Sequence, residues 1–281
     1  MTDSSENERI SLVANHLSQY ISSEYNPGNV DFNILSTIRY DPNITKLPPL
    51  TVEDISMVNF FLLDEHYHRL LYTLRYFTAQ EGQELQFEVT KEFLFEKLVD
   101  AIKASDLQVF QPMKVRLLVS LKGEITIELY EIPYRQNLLD GIVDSNISEP
   151  VVWDVRVDSK ETLISPFTSF KTTHRAVYTD ARERGIPGIN PGREEVLLVN
   201  TSGQLMEGSI TNVAVKRVSD GVWVTPVLTS GCLCGVMRNY LIREGYVEED
   251  VIRASDVTPG SDVLLFNGIM GVVKGKVVER T

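Results

Sequence analysis

Basic residues are scarce in this chain. Its 281 residues hold 27 Lys plus Arg against 39 Asp plus Glu, a formal net charge of −12. Such a surface repels phosphate backbones and anionic lipid, so neither nucleic acid nor membrane is an expected partner. Any anionic ligand then needs a local basic pocket. Long hydrophobic runs are also missing, and no segment approaches the roughly 18 apolar residues of a spanning helix. A basic, apolar leader is missing too: Met1 to Glu8 are polar and acidic, so the expected location is the cytoplasm. Cysteine is rare. Cys232 and Cys234 stand one residue apart, which makes neither a disulfide framework nor, without nearby His, a good zinc site. The histidines, His16, His66, His68 and His174, are scattered. No metal is expected. His66 and His68 read as packing or solvent-facing groups, and both cysteines as small packing residues.

The rest is globular in composition, 43% hydrophobic and 23% charged, in a length of about two domains at ~150 residues each. Ser5 and Glu8 form a capping box ahead of Ile10, Val13, Ala14, Leu17 and Ile21, one helical face. Asp31 to Tyr40 reads as a strand. Thr51 and Asp54 cap a long helix to about Tyr76, and Thr90 to Lys103 is another. Met113 to Ser120 and Glu124 to Glu131 flank the hairpin turn Lys122-Gly123. The polar stretch Asp140 to Pro150 is the linker. Beyond it come short strands, Glu195 to Val199, Gln204 to Met206, Asn212 to Val218 and Val222 to Thr225. Turns at Ser202-Gly203 and Asp220-Gly221 separate them. A helix opens near Gly235 and stops at Gly245. Asp262 to Phe266 and Val272 to Val278 follow, while Glu248-Glu249-Asp250 reads as a solvated turn. The fold class is α+β or α/β. Its domains are a smaller N-terminal α/β domain (1–140), a linker (141–150) and a larger C-terminal domain (151–281), with a ligand in the cleft between them.

Three stretches carry chemistry. In Pro166-Phe167-Thr168-Ser169-Phe170-Lys171-Thr172-Thr173-His174-Arg175, a lysine follows two aromatics at the entrance to a helix that runs to Gly185. Desolvation lowers an amine's pKa, and a neutral amine attacks carbonyls. The same segment also suits a lysine whose stem packs while its head reaches water. Leu205-Met206-Glu207-Gly208-Ser209-Ile210-Thr211-Asn212 ends a strand on a glutamate, and alone it fits a bulged edge strand. Thr229-Ser230-Gly231-Cys232-Leu233-Cys234-Gly235-Val236-Met237-Arg238 is a small-residue loop opening a helix, whose free N–H groups suit a phosphate.

In this order, with Leu264-Leu265-Phe266-Asn267-Gly268 downstream and His66-Tyr67-His68-Arg69-Leu70 upstream, the motifs resemble the pyridoxal-phosphate enzymes of fold type IV. That superfamily includes branched-chain and D-amino-acid aminotransferases and aminodeoxychorismate lyases. The resemblance runs from about Asn33 to the end. The wording of Ser169-Phe170-Lys171-Thr172-Thr173, Met206-Glu207-Gly208-Ser209-Ile210-Thr211-Asn212 and Gly231-Cys232-Leu233-Cys234-Gly235 is most similar to the fungal aminodeoxychorismate lyases. The aminotransferases usually carry proline where Cys234 stands and tyrosine where Ala176 stands.

The resemblance implies a two-domain fold type IV architecture with pyridoxal 5'-phosphate in the interdomain cleft. It implies conversion of 4-amino-4-deoxychorismate to 4-aminobenzoate and pyruvate, a step of folate synthesis. Lys171 would hold the cofactor as a Schiff base and act as general base and acid. Glu207 would pair with the pyridine nitrogen, Arg69 with the phosphate. The backbone of Val236 and Met237, the loop Ser209-Ile210-Thr211, and Asn267 with Gly268 would complete the cofactor site, with Leu233 on a ring face. Arg39, Arg116 and Arg175 are the candidate clamp for the substrate carboxylates, with Arg175 one helical turn after Lys171. The resemblance favours a monomer over a homodimer. An aminotransferase for branched-chain or D-amino acids, or a non-catalytic scaffold of the same fold, are the competing functions.

Overall fold

The computed structural model describes residues 30–82, 85, 87–143, 151–188 and 192–279. The helix expected after Ser5 and most of the linker stretch lie outside them. The described residues divide into two compact units. One runs to Gln136 and takes in Lys171–His174; the other comprises Asn137–Phe170 and the residues from Arg175 onward.

The first unit is built on an antiparallel sheet, order β1-β2-β3, of β1 (Ile34–Tyr40), β2 (Met113–Val119) and β3 (Ile125–Glu131). β2 alternates as a half-buried strand must: Met113, Val115, Leu117 and Val119 are fully buried, while Lys114, Arg116 and Leu118 are not. Between β2 and β3 the hairpin turns at Gly123, whose φ of +87° favours glycine. Two helices cover the buried side, α1 (Leu63–Gln80) on β1 and α2 (Lys91–Lys103) on β3. The Thr90 side chain caps α2 by accepting from the Phe93 N–H.

The single long helix expected from Thr51 does not form. Thr51 and Asp54 do make a capping box, but for one 3-10 turn, Val52–Asp54, followed by a second, Met57–Asn59. The helix starts only at Leu63. Long-range pairing is the reason: the Phe61 N–H donates to the Arg39 carbonyl, the Asp41 N–H to the Asn59 carbonyl, and Phe60 bridges to Tyr40. These bonds to the end of β1 hold the segment extended. Leu62, at φ 56° the one non-glycine residue at positive φ among the described residues, then turns the chain into α1.

The second unit holds an eight-stranded mixed sheet, order β6-β5-β4-β11-β10-β7-β8-β9. Its strands are β4 (Val152–Thr162), β5 (Glu194–Asn200), β6 (Leu205–Gly208), β7 (Asn212–Lys216), β8 (Trp223–Pro226), β9 (Glu248–Asp250), β10 (Asp262–Asn267) and β11 (Gly271–Val277). Val155, Leu197, Leu205, Val213, Val263 and Leu265 centre its core. The sequence-read strands fall within two or three residues of these, and their turns sit at Gly203 (φ +71°) and Gly221 (φ +73°). Glu248–Asp250 is no solvated turn: it forms β9, parallel to β8, and its carboxylates pair with Arg217 and Arg238. The helices are a single turn, α3 (Pro166–Ser169), then α4 (Ala176–Gly185) and α5 (Val236–Arg243). α4 lies on β4 and β5. Arg184 fastens it by two hydrogen bonds to Asp158, at 3.0 and 2.6 Å. Among the described residues no helix is long and apolar enough to cross a membrane.

Candidate active site

Lys171 does not enter a helix. Phe170 is extended (φ −114°, ψ 145°), and the next three residues lie along the free edge of β1. The Lys171 carbonyl accepts from the Leu35 N–H at 2.9 Å, the Thr173 N–H donates to the Asn33 carbonyl at 2.9 Å, and Ile34 bridges antiparallel to Thr172. The Thr173 hydroxyl accepts from the Asn33 N–H at 2.9 Å. The main chain of a half-buried lysine is thus pinned on both sides, which fixes where its stem begins. Since residues 171–175 are not helical, Arg175 is not one helical turn on from it. Arg175 flanks the start of α4 instead.

One turn of α1 faces the buried side of β1 with His66 and Arg69, an i,i+3 pair. The Ser36 hydroxyl is 2.8 Å from His66 Nδ1, and Arg69 Nη2 is 3.2 Å from that hydroxyl and 3.4 Å from Nδ1. A guanidinium only donates, so Nδ1 accepts and the ring proton sits on Nε2. Burial, then the charges of Arg69 and Lys171, push the His66 pKa well below 6.5 and keep the ring neutral. His66 Nε2 is buried and without a hydrogen-bond partner.

Arg39 and Arg116 point from the opposite face of the sheet, where β1 and β2 place Thr37 beside Arg116 and Arg39 beside Lys114. Each has a carboxylate. Arg39 is buried against Asp41, with Nε and Nη2 at 2.8 and 2.7 Å from Oδ2. Arg116 pairs with Glu128, its cross-strand partner, and remains 32% exposed.

In the second unit, Glu207 is the next-to-last residue of β6, 3% exposed. Its Oε1 accepts from the Tyr178 hydroxyl at 2.7 Å and its Oε2 lies 3.4 Å from Asn212 Nδ2. Burial and the Glu207 charge, only partly offset by Arg175, drive the Tyr178 pKa well above 10. The phenol therefore stays a donor. Arg175 stacks over the Tyr178 ring at 4.3 Å and donates to the Ser209 carbonyl at 2.5 Å.

The turn after Glu207 wraps a second buried carboxylate, Glu195 of β5. Glu195 Oε1 accepts from the Ser209 N–H at 2.9 Å and from the Ser209 hydroxyl, and Oε2 from the Ile210 N–H at 3.2 Å and the Thr211 hydroxyl at 2.8 Å. Arg182 of α4 reaches both Ser209 Oγ (2.8 Å) and Glu195 (3.4 Å). A Cβ at Gly208 would stand 2.7 Å from Glu195 Oε2, so the wrap requires glycine. Asn267 Nδ2 donates to the Ile210 carbonyl at 3.1 Å, while its Oδ1 accepts from the N–H groups of Ile269 and Met270. The hydroxyls of Ser209 and Thr211 are thus committed inside the protein.

Gly235 precedes α5 as its N-cap, and a Cβ there would collide with the Asn212 amide. That amide donates to the Leu233 carbonyl at 3.0 Å, tying loop and strand together. The first helical bond runs from Asn239 to Gly235, so the N–H groups of Val236 and Met237 have no partner within the helix. The Cys232 thiol is buried and pushed up to about 12, chiefly by burial, and is a packing group.

The sequence points to Lys171, Arg69 and Glu207 as candidates, and to His66 as a packing or solvent-facing group, but not to Tyr178, Glu195 or Arg182. Their partners lie far away in the chain. A hydroxyl on the helix after the lysine was the one available hint to Tyr178.

Compared with known proteins, the chain matches the family described as amino-transferase class IV over residues 52–278. It is 39% identical over 272 residues to the aminodeoxychorismate lyase of Saccharomyces cerevisiae, covering 82% of this chain and 71% of that protein. Among solved structures it is similar to a Mesorhizobium loti protein assigned as an amino-acid aminotransferase (27% identity, TM-score 0.64, covering 88% of this chain and 100% of that one). It shares its fold with the branched-chain amino acid aminotransferase of Escherichia coli (17% identity, TM-score 0.60, covering 91% and 81%).

Proposed function

The chain belongs to the amino-transferase class IV family, and from that premise we propose that it is an aminodeoxychorismate lyase, cleaving 4-amino-4-deoxychorismate to 4-aminobenzoate and pyruvate. The observation that carries this reading is the 39% identity to the Saccharomyces cerevisiae lyase across 82% of this chain. The reading extends to a monomeric, cytoplasmic enzyme acting on a small molecule.

The cofactor we assign is pyridoxal phosphate, because the donor set fits it. Lys171 brings a primary amine, Arg69 a planar cation for a phosphate, and Glu207 a buried carboxylate already held by a phenol that cannot deprotonate near neutrality. When bound, the cofactor supplies a ring that accepts electrons from the substrate. Glu207 would accept a hydrogen bond from the ring nitrogen and favour its protonated form. Val236 and Met237 would offer main-chain N–H groups to the phosphate, and Gly268 and Leu233 are further residues that would hold the cofactor. Ser209, Ile210, Thr211 and Asn267 act through the loop they hold around Glu195, which sets the position of Glu207.

The Lys171 amine takes the proton from C4 of the substrate. The bond from C3 to the enolpyruvyl oxygen then breaks, and protonation of the departing group gives pyruvate. Aromatisation drives the step, so the protein supplies alignment and proton transfer. Of the three arginines expected to clamp the carboxylates, Arg39 is closed in on Asp41 and Arg175 on Ser209 and Tyr178. Arg116, partly exposed on the open face of β2, is the one we assign to a substrate carboxylate.

Lys171→Ala is expected to lower turnover by roughly 10²–10⁴-fold or more, the usual worth of a positioned acid–base group. Wild-type turnover in that variant would contradict the mechanism. The fold shared with aminotransferases gives the second reading, and formation of glutamate from 2-oxoglutarate would favour it.

A further inference from the structure

One helix reaches the turn after Glu207 from three positions. At the N-cap of α4, Arg175 donates to the Ser209 carbonyl at 2.5 Å, and Tyr178, three residues on, donates to Glu207 at 2.7 Å. Arg182 follows Tyr178 by four residues and so shares its side of the helix. Its Nη1 lies 2.8 Å from Ser209 Oγ and 3.4 Å from Glu195 Oε1. The fully buried Glu195 carboxylate otherwise accepts only from neutral donors: the N–H groups of Val196, Ser209 and Ile210 and the hydroxyls of Ser209 and Thr211. Among the described residues Arg182 is its one ion-pair partner.

A buried carboxylate deprived of its cation is strongly unfavourable, and here the relief has one direction. Val196 sits in β5, between β4 and β6, so the turn from Gly208 to Thr211 is the part free to open and admit water. That turn is closed by the Gly208 N–H donating to the Thr211 carbonyl at 2.8 Å, and Glu207 is the residue before it. We propose that Arg182 is a positioning residue for Glu207. Through Ser209 and Glu195 it holds the turn shut, and with Arg175 and Tyr178 it makes α4 the template on which the Glu207 carboxylate is set. Arg182 itself is assigned no contact with cofactor or substrate. The proposal rests on the cofactor assignment above and extends the support of Glu207 from the loop to the helix.

The test reads Glu207 without relying on turnover. Protein loaded with pyridoxal phosphate absorbs in the visible, and the pH midpoint of that absorbance reports the electron demand of the ring. A ring nitrogen held protonated draws electrons and lowers the midpoint, so a loosened Glu207 raises it. Arg182→Met is expected to raise the midpoint by about one pH unit, the effect of weakening a hydrogen bond to a charged group. Arg184→Met is the control. It removes the two bonds to Asp158 from the same helix and should lower Tm without moving the midpoint. Should Arg182→Met not fold, Arg182→Lys keeps the cation, gives up the planar fork, and should move the midpoint less in the same direction. An unmoved midpoint in Arg182→Met, or in Arg182→Lys where only that variant folds, would overturn the positioning role, as would an equal shift in Arg184→Met. Failure of wild type to take up pyridoxal phosphate with a visible band would instead overturn the cofactor assignment.

Discussion

A buried carboxylate serves a ring nitrogen only if it is held in place, and Glu207 is buried beside a phenol that donates to it. The Tyr178 hydroxyl donates to it at 2.7 Å, and a hydrogen bond to a charged group is worth about 1.5–3 kcal/mol. Tyr178→Phe is therefore expected to lower kcat by roughly ten- to a hundredfold on that figure, with the cofactor still attached to Lys171. Steady-state kinetics beside the visible spectrum of the loaded protein checks this, and an unchanged kcat would remove Tyr178 from the account. His66 gives a prediction about pH. Its folded pKa lies below the unfolded value of 6.5, so the unfolded chain binds the extra proton. Stability is complete above about pH 6.5 and declines as pH falls from there towards the folded value. Denaturant melts of the apoprotein between pH 7 and 5 should show that decline, and His66→Asn should flatten it. Lys171 and Glu207 stand out as candidates in the sequence because local motif wording marks them. Tyr178 does not, and neither does the Ser36 partner of His66, since these contacts join residues distant in sequence. Nor were the partners of the arginines legible: nothing in the sequence near Arg116 shows that Glu128 stands across from it.

At the scale of elements, short-range signals were dependable. Thr90 caps α2, Gly123 turns the first hairpin, and Gly245 at φ +73° closes α5. Where tertiary hydrogen bonds compete, those signals lost. The Thr51 capping box holds one turn because Phe60 and Phe61 pair with β1, and Lys171 stays extended because β1 has a free edge to offer. Gly235 shows how tightly the element ends are set. A methyl there meets the Asn212 amide, which is bonded to Leu233 and close to Glu207. Gly235→Ala should destabilise the protein by about 1–3 kcal/mol, as overpacking does, and lower activity beyond the loss of folded protein. A thermal melt with kcat per folded molecule decides it; a neutral substitution would mean the Asn212 tie is dispensable.

At the scale of the whole molecule, the acidic balance of −12 sets a repulsive background for an anionic substrate, which local cations must overcome. Arg116→Ala should accordingly raise KM by about tenfold, the effect of losing a charge-assisted hydrogen bond, and change kcat much less. The chain also hands one short stretch, Lys171–His174, to the unit that does not contain its sequence neighbours. No composition or periodicity signal announces that exchange, because it depends on an edge of β1 that only the folded sheet creates. The central claim, a lyase and not a transaminase, is tested most directly by product stoichiometry. Protein loaded with pyridoxal phosphate is mixed with aminodeoxychorismate, without any keto acid, and both 4-aminobenzoate and pyruvate are followed. The account predicts equal amounts of the two over many turnovers. Absence of 4-aminobenzoate, or turnover only after 2-oxoglutarate is added, would contradict it.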